Sequence, residues 1–127
     1  MSSSKDAPIS SISPLTSENY RLWANDIKSW LQLNGLWCLV SGLDKKPAEK
    51  LKIKDSSGNI VSQAIPLDEE KLERWETKAE RAAGALKTVM SQEVKVLIRN
   101  CEDDPVLIWE TLRTWFLFFL FFLNHCL

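Results

Sequence analysis

The sequence predicts an all-α fold, a small helical bundle of about five helices with a flexible Lys-rich loop after the second. Three observations carry that prediction. Apolar residues recur at steps of three and four along several segments, Asn-Gly and Asp-Pro pairs separate those segments, and 127 residues with 45% hydrophobic content suit a single domain with a real core.

The first helix lies within Leu15 to Gly42, which holds half of the six tryptophans, Trp23, Trp30 and Trp37, at intervals of seven. At 3.6 residues per turn Tyr20, Trp23, Ile27, Trp30 and Leu31 share one side, while Arg21, Asn25, Lys28 and Gln32 fall elsewhere. Thr16 is expected to cap this helix, with Leu15 stapled onto Tyr20 and Pro14 preventing an earlier start. Asn34-Gly35 tolerates positive φ and should end it; a short second turn from Leu36 to Val40 then folds back before Ser41-Gly42, making Trp37 a separate apolar knob. These indoles read as a core stripe. Stacking on bases is the weaker reading, because no clustered arginine accompanies them.

Leu43 to Pro66 contains Lys45, Lys46, Lys50, Lys52 and Lys54, the one basic cluster in the chain. Leu51 and Ile53 alternate with lysines, and Ile60-Val61 follows Ser-Ser-Gly-Asn, a pattern compatible with a short hairpin. A solvated loop is favoured over it. Lysines can grip phosphates as point charges, but Asp44, Glu49 and Asp55 dilute these.

Asp68 should cap the next helix, with Leu67 stapled onto Leu72 and Glu69 and Glu70 at its positive end. Its buried line is Leu72, Trp75, Ala79, Ala82, Ala83, Leu86, Val89 and Met90, with Glu70 and Arg74 paired outside. The small run Ala82-Ala83-Gly84-Ala85 should let the Trp-rich helix lie close, which would justify the roughly 1 kcal/mol that Gly84 costs relative to Ala.

Ser91 can cap a shorter helix carrying Val94, Leu97, Ile98 and Cys101 inward. Asp104 as cap and Pro105 as first helical residue open the last one, with Ile108, Trp109, Leu112, Trp115 and Phe116 on one face. From Phe116 to Leu123 the chain is apolar on every side, yet the run is too short to cross a bilayer. An interfacial membrane segment, an oligomer contact and sequence foreign to the domain all fit residues 117–127; the two-letter composition favours the last.

Net charge is −1, so no overall field recruits nucleic acid or an anionic membrane. Three widely separated cysteines, Cys38, Cys101 and Cys126, suit a reducing compartment, and His125 beside Cys126 cannot fill a four-ligand zinc site. Residues 1–14, Ser-rich and without a secretory pattern, read as a disordered leader, which with the cysteines points to the cytoplasm. No metal, no cofactor and no catalytic residue is expected. The single histidine, His125, has no Ser/His/Asp or Cys/His set around it, and no Gly-rich phosphate loop is present.

Leu15, Asn19, Tyr20, Trp23, Leu36 and Trp37 together resemble the opening of Gag proteins from copia-type long-terminal-repeat retrotransposons. Trp30 lies on the same helix as Trp23, and farther on the Trp75 helix with its small-residue run, the VKVLIRNC segment and Trp109-Glu110-Thr111-Leu112 are similar in order and spacing to that family's central helices. The resemblance covers residues 15–116. It implies a capsid-like, non-enzymatic module that self-associates around element RNA, in an element or in a truncated or domesticated remnant of one. The chain lacks the zinc knuckle and the protease, integrase and reverse transcriptase signatures of the complete element. Self-association is therefore the leading expectation. The alternative is an RNA-binding module using Lys45, Lys46, Lys50, Lys52 and Lys54; a membrane partner ranks below both, and no small-molecule substrate is expected.

Overall fold

The computed structural model describes residues 8–48, 50–54, 56–57 and 61–125, with 50–54, 61–65 and 119–125 described as backbone alone. Its helices are α1 (Tyr20–Leu33), the single turn α2 (Trp37–Val40), α3 (Glu69–Thr88), the short α4 (Gln92–Lys95) and α5 (Pro105–His125). The fold is all-α, as the patterning predicts. Between α2 and α3 the backbone of β1 (Lys50–Lys54) pairs antiparallel with β2 (Val61–Ile65), Lys50 opposite Ile65 and Lys54 opposite Val61. The sequence favoured a flexible loop there; the period-2 alternation that made a hairpin the other reading matches the observed ladder.

The start of α1 differs from expectation. Thr16 does not cap it; instead Asn19 Oδ1 accepts the Thr16 backbone N–H at 2.7 Å and its hydroxyl at 3.2 Å, while Asn19 Nδ2 donates to the Pro14 carbonyl at 3.0 Å. The Asn19 amide closes a turn on its own upstream backbone, and the helix begins only at Tyr20.

The ends of α1 and α2 are built alike. Leu36 N–H donates to the Leu31 carbonyl at 2.8 Å and Gly35 N–H to Gln32 at 3.2 Å; Leu43 N–H reaches Cys38 at 2.9 Å and Gly42 N–H reaches Leu39 at 3.1 Å. Both are Schellman closures, and they need Gly35 at φ 71° and Gly42 at φ 89° because an L side chain is strained there.

Asp68 Oδ1 accepts Lys71 N–H at the start of α3, and Asp104 Oδ1 accepts Val106 and Leu107 N–H, each at 3.1 Å, ahead of Pro105 in α5. Ser91 stands at the head of α4, but its buried hydroxyl makes no hydrogen bond, so the expected side-chain cap is not formed. No ion pair joins Glu70 to Arg74 among the described residues, against the sequence reading.

The core gathers Leu15, Tyr20, Trp23, Ile27 and Leu31 with Leu36, Val40, Ala82, Ala83 and Leu86 and, from α5, Ile108, Leu112 and Phe116. Ile12 also belongs to it, and Ile9–Ser11 form a 3-10 turn packed alongside. The packed chain thus begins upstream of Leu15, inside the stretch expected to be a leader; residues 1–7 lie outside the described residues. Leu72 and Trp75 are only half-buried, so the buried line of α3 starts at Ala79, about two turns later than its periodicity suggests.

The alanines of α3 do admit a close neighbour, but it is α5 and not the Trp-rich α1. Large rings hold the α1 backbone away, while Ala82 and Ala83 let the α5 backbone come near. Gly84 has no part in that approach, since a Cβ built on it meets no atom within 4 Å. Gly84→Ala should therefore raise the unfolding free energy by about 0.4–1 kcal/mol, whereas Gly35→Ala should lower it by about 1–2 kcal/mol; urea titration of both variants gives the two signs.

Candidate interaction surface

Most of the residues that carry the sequence resemblance, Asn19 and Trp75 excepted, form one contiguous cluster joining α1, α2 and α5. Trp23 stacks on Trp109 with ring centroids 6.2 Å apart, and Trp37 meets Trp109 edge-on at 5.1 Å. Trp37 is consequently part of the core margin and not a separate knob. Tyr20 lies flat on Phe116 at 4.9 Å with the rings 5° from parallel, so the start of α1 is clamped to the middle of α5. Leu15, Leu36 and Leu112 are fully buried, and Trp30 packs partly buried against the same cluster. Asn19 acts through its backbone-closing turn and not through packing.

Trp75 departs from this group. Its Nε1–H donates to the Asp44 carbonyl at 2.9 Å, which straps the segment after α2 onto α3, and Lys46 lies over the ring with Nζ 5.9 Å from its centroid. Lys46 also reaches Glu76 at 3.9 Å, an exposed pair worth little by itself. Of the five lysines read as candidate phosphate contacts, Lys45 and Lys46 are exposed beside Trp75. Lys50, Lys52 and Lys54 share β1, and their side chains lie outside the described residues.

Two shallow depressions flank Trp75 and differ in sign. One of about 380 Å³ is lined by Lys45, Lys71, Arg74 and Lys78 with a single acidic neighbour, Asp44. The other, about 460 Å³, is lined by Glu73, Glu76, Glu80 and Asp103 with one cation, Lys46. The sequence reading overlooked this division. Its signal is the 3.6-residue period of α3, which brings Lys71, Arg74 and Lys78 onto one side although they are scattered along the chain.

Large apolar side chains are also exposed on α5, where Leu117 is 43% and Phe118 67% accessible immediately after buried Phe116. The α5 backbone runs on through residues 117–125 as one helix. Among the described residues no helix is long and apolar enough to cross a membrane. Cys38 is exposed, and Cys101 Sγ lies 3.8 Å from Thr111 Oγ1. The His125 side chain and all of Cys126 lie outside the described residues. Comparison with protein-family models, with curated proteins and with solved structures finds no match for the chain.

Burial raises the Tyr20 phenol above its ordinary pKa of 10.0; the nearby Arg113 guanidinium opposes this, and Glu110 adds to it. A neutral phenol in the folded state ionises later than in the unfolded chain, so its stabilisation is complete below pH 10 and falls as pH climbs through the folded value. Tyr20→Phe should keep near-wild-type stability at pH 7 and lose less than wild type between about pH 9 and 11, where the unfolded phenol titrates. Denaturant midpoints measured across that range for both proteins check it.

Proposed function

We propose that the chain is a non-enzymatic, Gag-like structural module that self-associates as capsid domains do, in a retrotransposon or in a truncated or domesticated remnant of one. The observation that supports this best is the convergence of the family-motif residues, Leu15, Tyr20, Trp23, Leu36, Trp37, Trp109 and Leu112, on one packed seam across three helices. Exposed Leu117 and Phe118, beside half-exposed Trp115, add apolar surface of the kind that contacts between copies use. In this reading the module is cytoplasmic, uses no cofactor and turns over no small-molecule substrate. Sedimentation of the full chain should give a weight-average mass that rises with protein concentration; a constant monomer mass up to the solubility limit overturns the proposal.

RNA binding is the second reading, favoured by the basic depression at Lys45, Lys71, Arg74 and Lys78 next to Trp75 and continuous in sequence with the lysines of β1. Each phosphate neutralised contributes a slope of about −0.7 to log K against log salt for a single strand. On this reading a single-stranded RNA should bind with a steep salt dependence, and Lys45→Gln with Lys46→Gln should reduce both affinity and slope. Equal, salt-insensitive binding by the variant and the wild type removes it.

A further inference from the structure

The outward face of α3 is divided lengthwise by charge. Ala79, Ala82, Ala83 and Leu86 point α3 into the core, so the opposite midline, at 100° per residue, runs through Thr77 and Gly84. Glu73 and Glu80 lie to one side of that line, Arg74 and Arg81 to the other, and all four are exposed. The two depressions beside Trp75 show the same division farther around the helix, Glu76 on the acidic flank and Lys78 on the basic one.

This arrangement is unfavourable for a helix that stands alone. Glu76 and Glu80 are like charges at i,i+4, as are Arg74 and Lys78, and such pairs repel along a helix, where alternating signs would attract. Among the described residues Glu73, Arg74, Glu80 and Arg81 have no ion-pair partner. The midline between the flanks is shallow. The Thr77 hydroxyl is turned back onto the Glu73 carbonyl at 2.9 Å, and the space above Gly84 is open.

We infer that two copies of this chain associate through α3 with the two helices parallel, the Glu73 and Glu80 flank of one facing the Arg74 and Arg81 flank of the other. The direction follows from symmetry. In an antiparallel pair related by a two-fold axis each flank meets its own copy, Glu against Glu and Arg against Arg, whereas a parallel pair sets acid against base on both sides. Small Thr77 and Gly84 at the crossing let the axes approach, and a shallow crossing angle leaves Glu70 in water at the diverging N-terminal ends. The contact rests on exposed ion pairs, so it is weak and screened by salt.

The inference depends on the self-association reading, and charge exchange in the full chain separates the two. Glu73→Lys with Glu80→Lys makes both flanks basic; Arg74→Glu with Arg81→Glu makes both acidic. Lys and Glu are comparable helix formers, and circular dichroism should confirm that each variant folds. Each alone should self-associate at least about tenfold more weakly than wild type. An equimolar mixture should form the mixed pair, and the protein carrying all four exchanges should recover self-association. Wild-type protein that stays monomeric overturns the self-association reading and this contact with it. Wild-type association that both double variants retain, that the mixture fails to restore, or that only Leu117→Ser with Phe118→Ser abolishes, overturns the α3 contact alone.

Discussion

The carbonyl of Val89, just past the last turn of α3, is the point on which the fold closes. It accepts the Leu15 backbone N–H at 2.7 Å and the Trp23 indole N–H at 2.8 Å, and Ser91 N–H returns to the Leu15 carbonyl at 3.0 Å. Two stretches far apart in sequence, residues 15–23 and 89–91, thereby meet in the buried interior. A helix C-terminus leaves carbonyls unsatisfied, and burying one without donors is costly, so the indole and the Leu15 amide meet a need that α3 itself creates. Trp23 also buries about 200 Å² of ring at the same place, which joins the polar and the apolar reasons for its position.

From that closure the layering follows. Rings on α1 and small side chains on α3 divide the interior unequally, and α5 fills the space with Trp109, which contacts both Trp23 and Trp37, and with Phe116 against Tyr20. Lys28 completes the outer edge, with its ammonium 5.0 Å from the centre of the Trp37 ring. The aromatic seam reads as a scaffold because each ring lies against another ring or under a cation, and the surfaces left over are charged flanks and apolar helix ends.

Local signals in the sequence read out well. Gly35, Gly42, Asp68 and Asp104 each act on backbone within a few residues, so their effect is written where they stand. Long-range competition explains the misreadings. Thr16 is a good cap in isolation, but Asn19 turns back to Pro14 and takes the Thr16 N–H, while Leu15 is drawn to the end of α3. Trp75 has the periodicity of a core residue, yet its indole N–H requires an acceptor and finds one in the Asp44 carbonyl at the margin. Ile12 sits in a Ser-rich stretch whose composition conceals one well-placed side chain. For the candidate surface, the lysines adjacent in sequence were legible; the flanks of α3, contiguous only once the helix is wound, were not.

At Gly35 and Gly42 two chain reversals seven residues apart are each closed by main-chain hydrogen bonds across a glycine of positive φ. The elbow carrying Trp37 can therefore hold its angle while neighbouring aromatics are exchanged for others of similar bulk. Substitutions among those rings could thus accumulate while the same bend is kept.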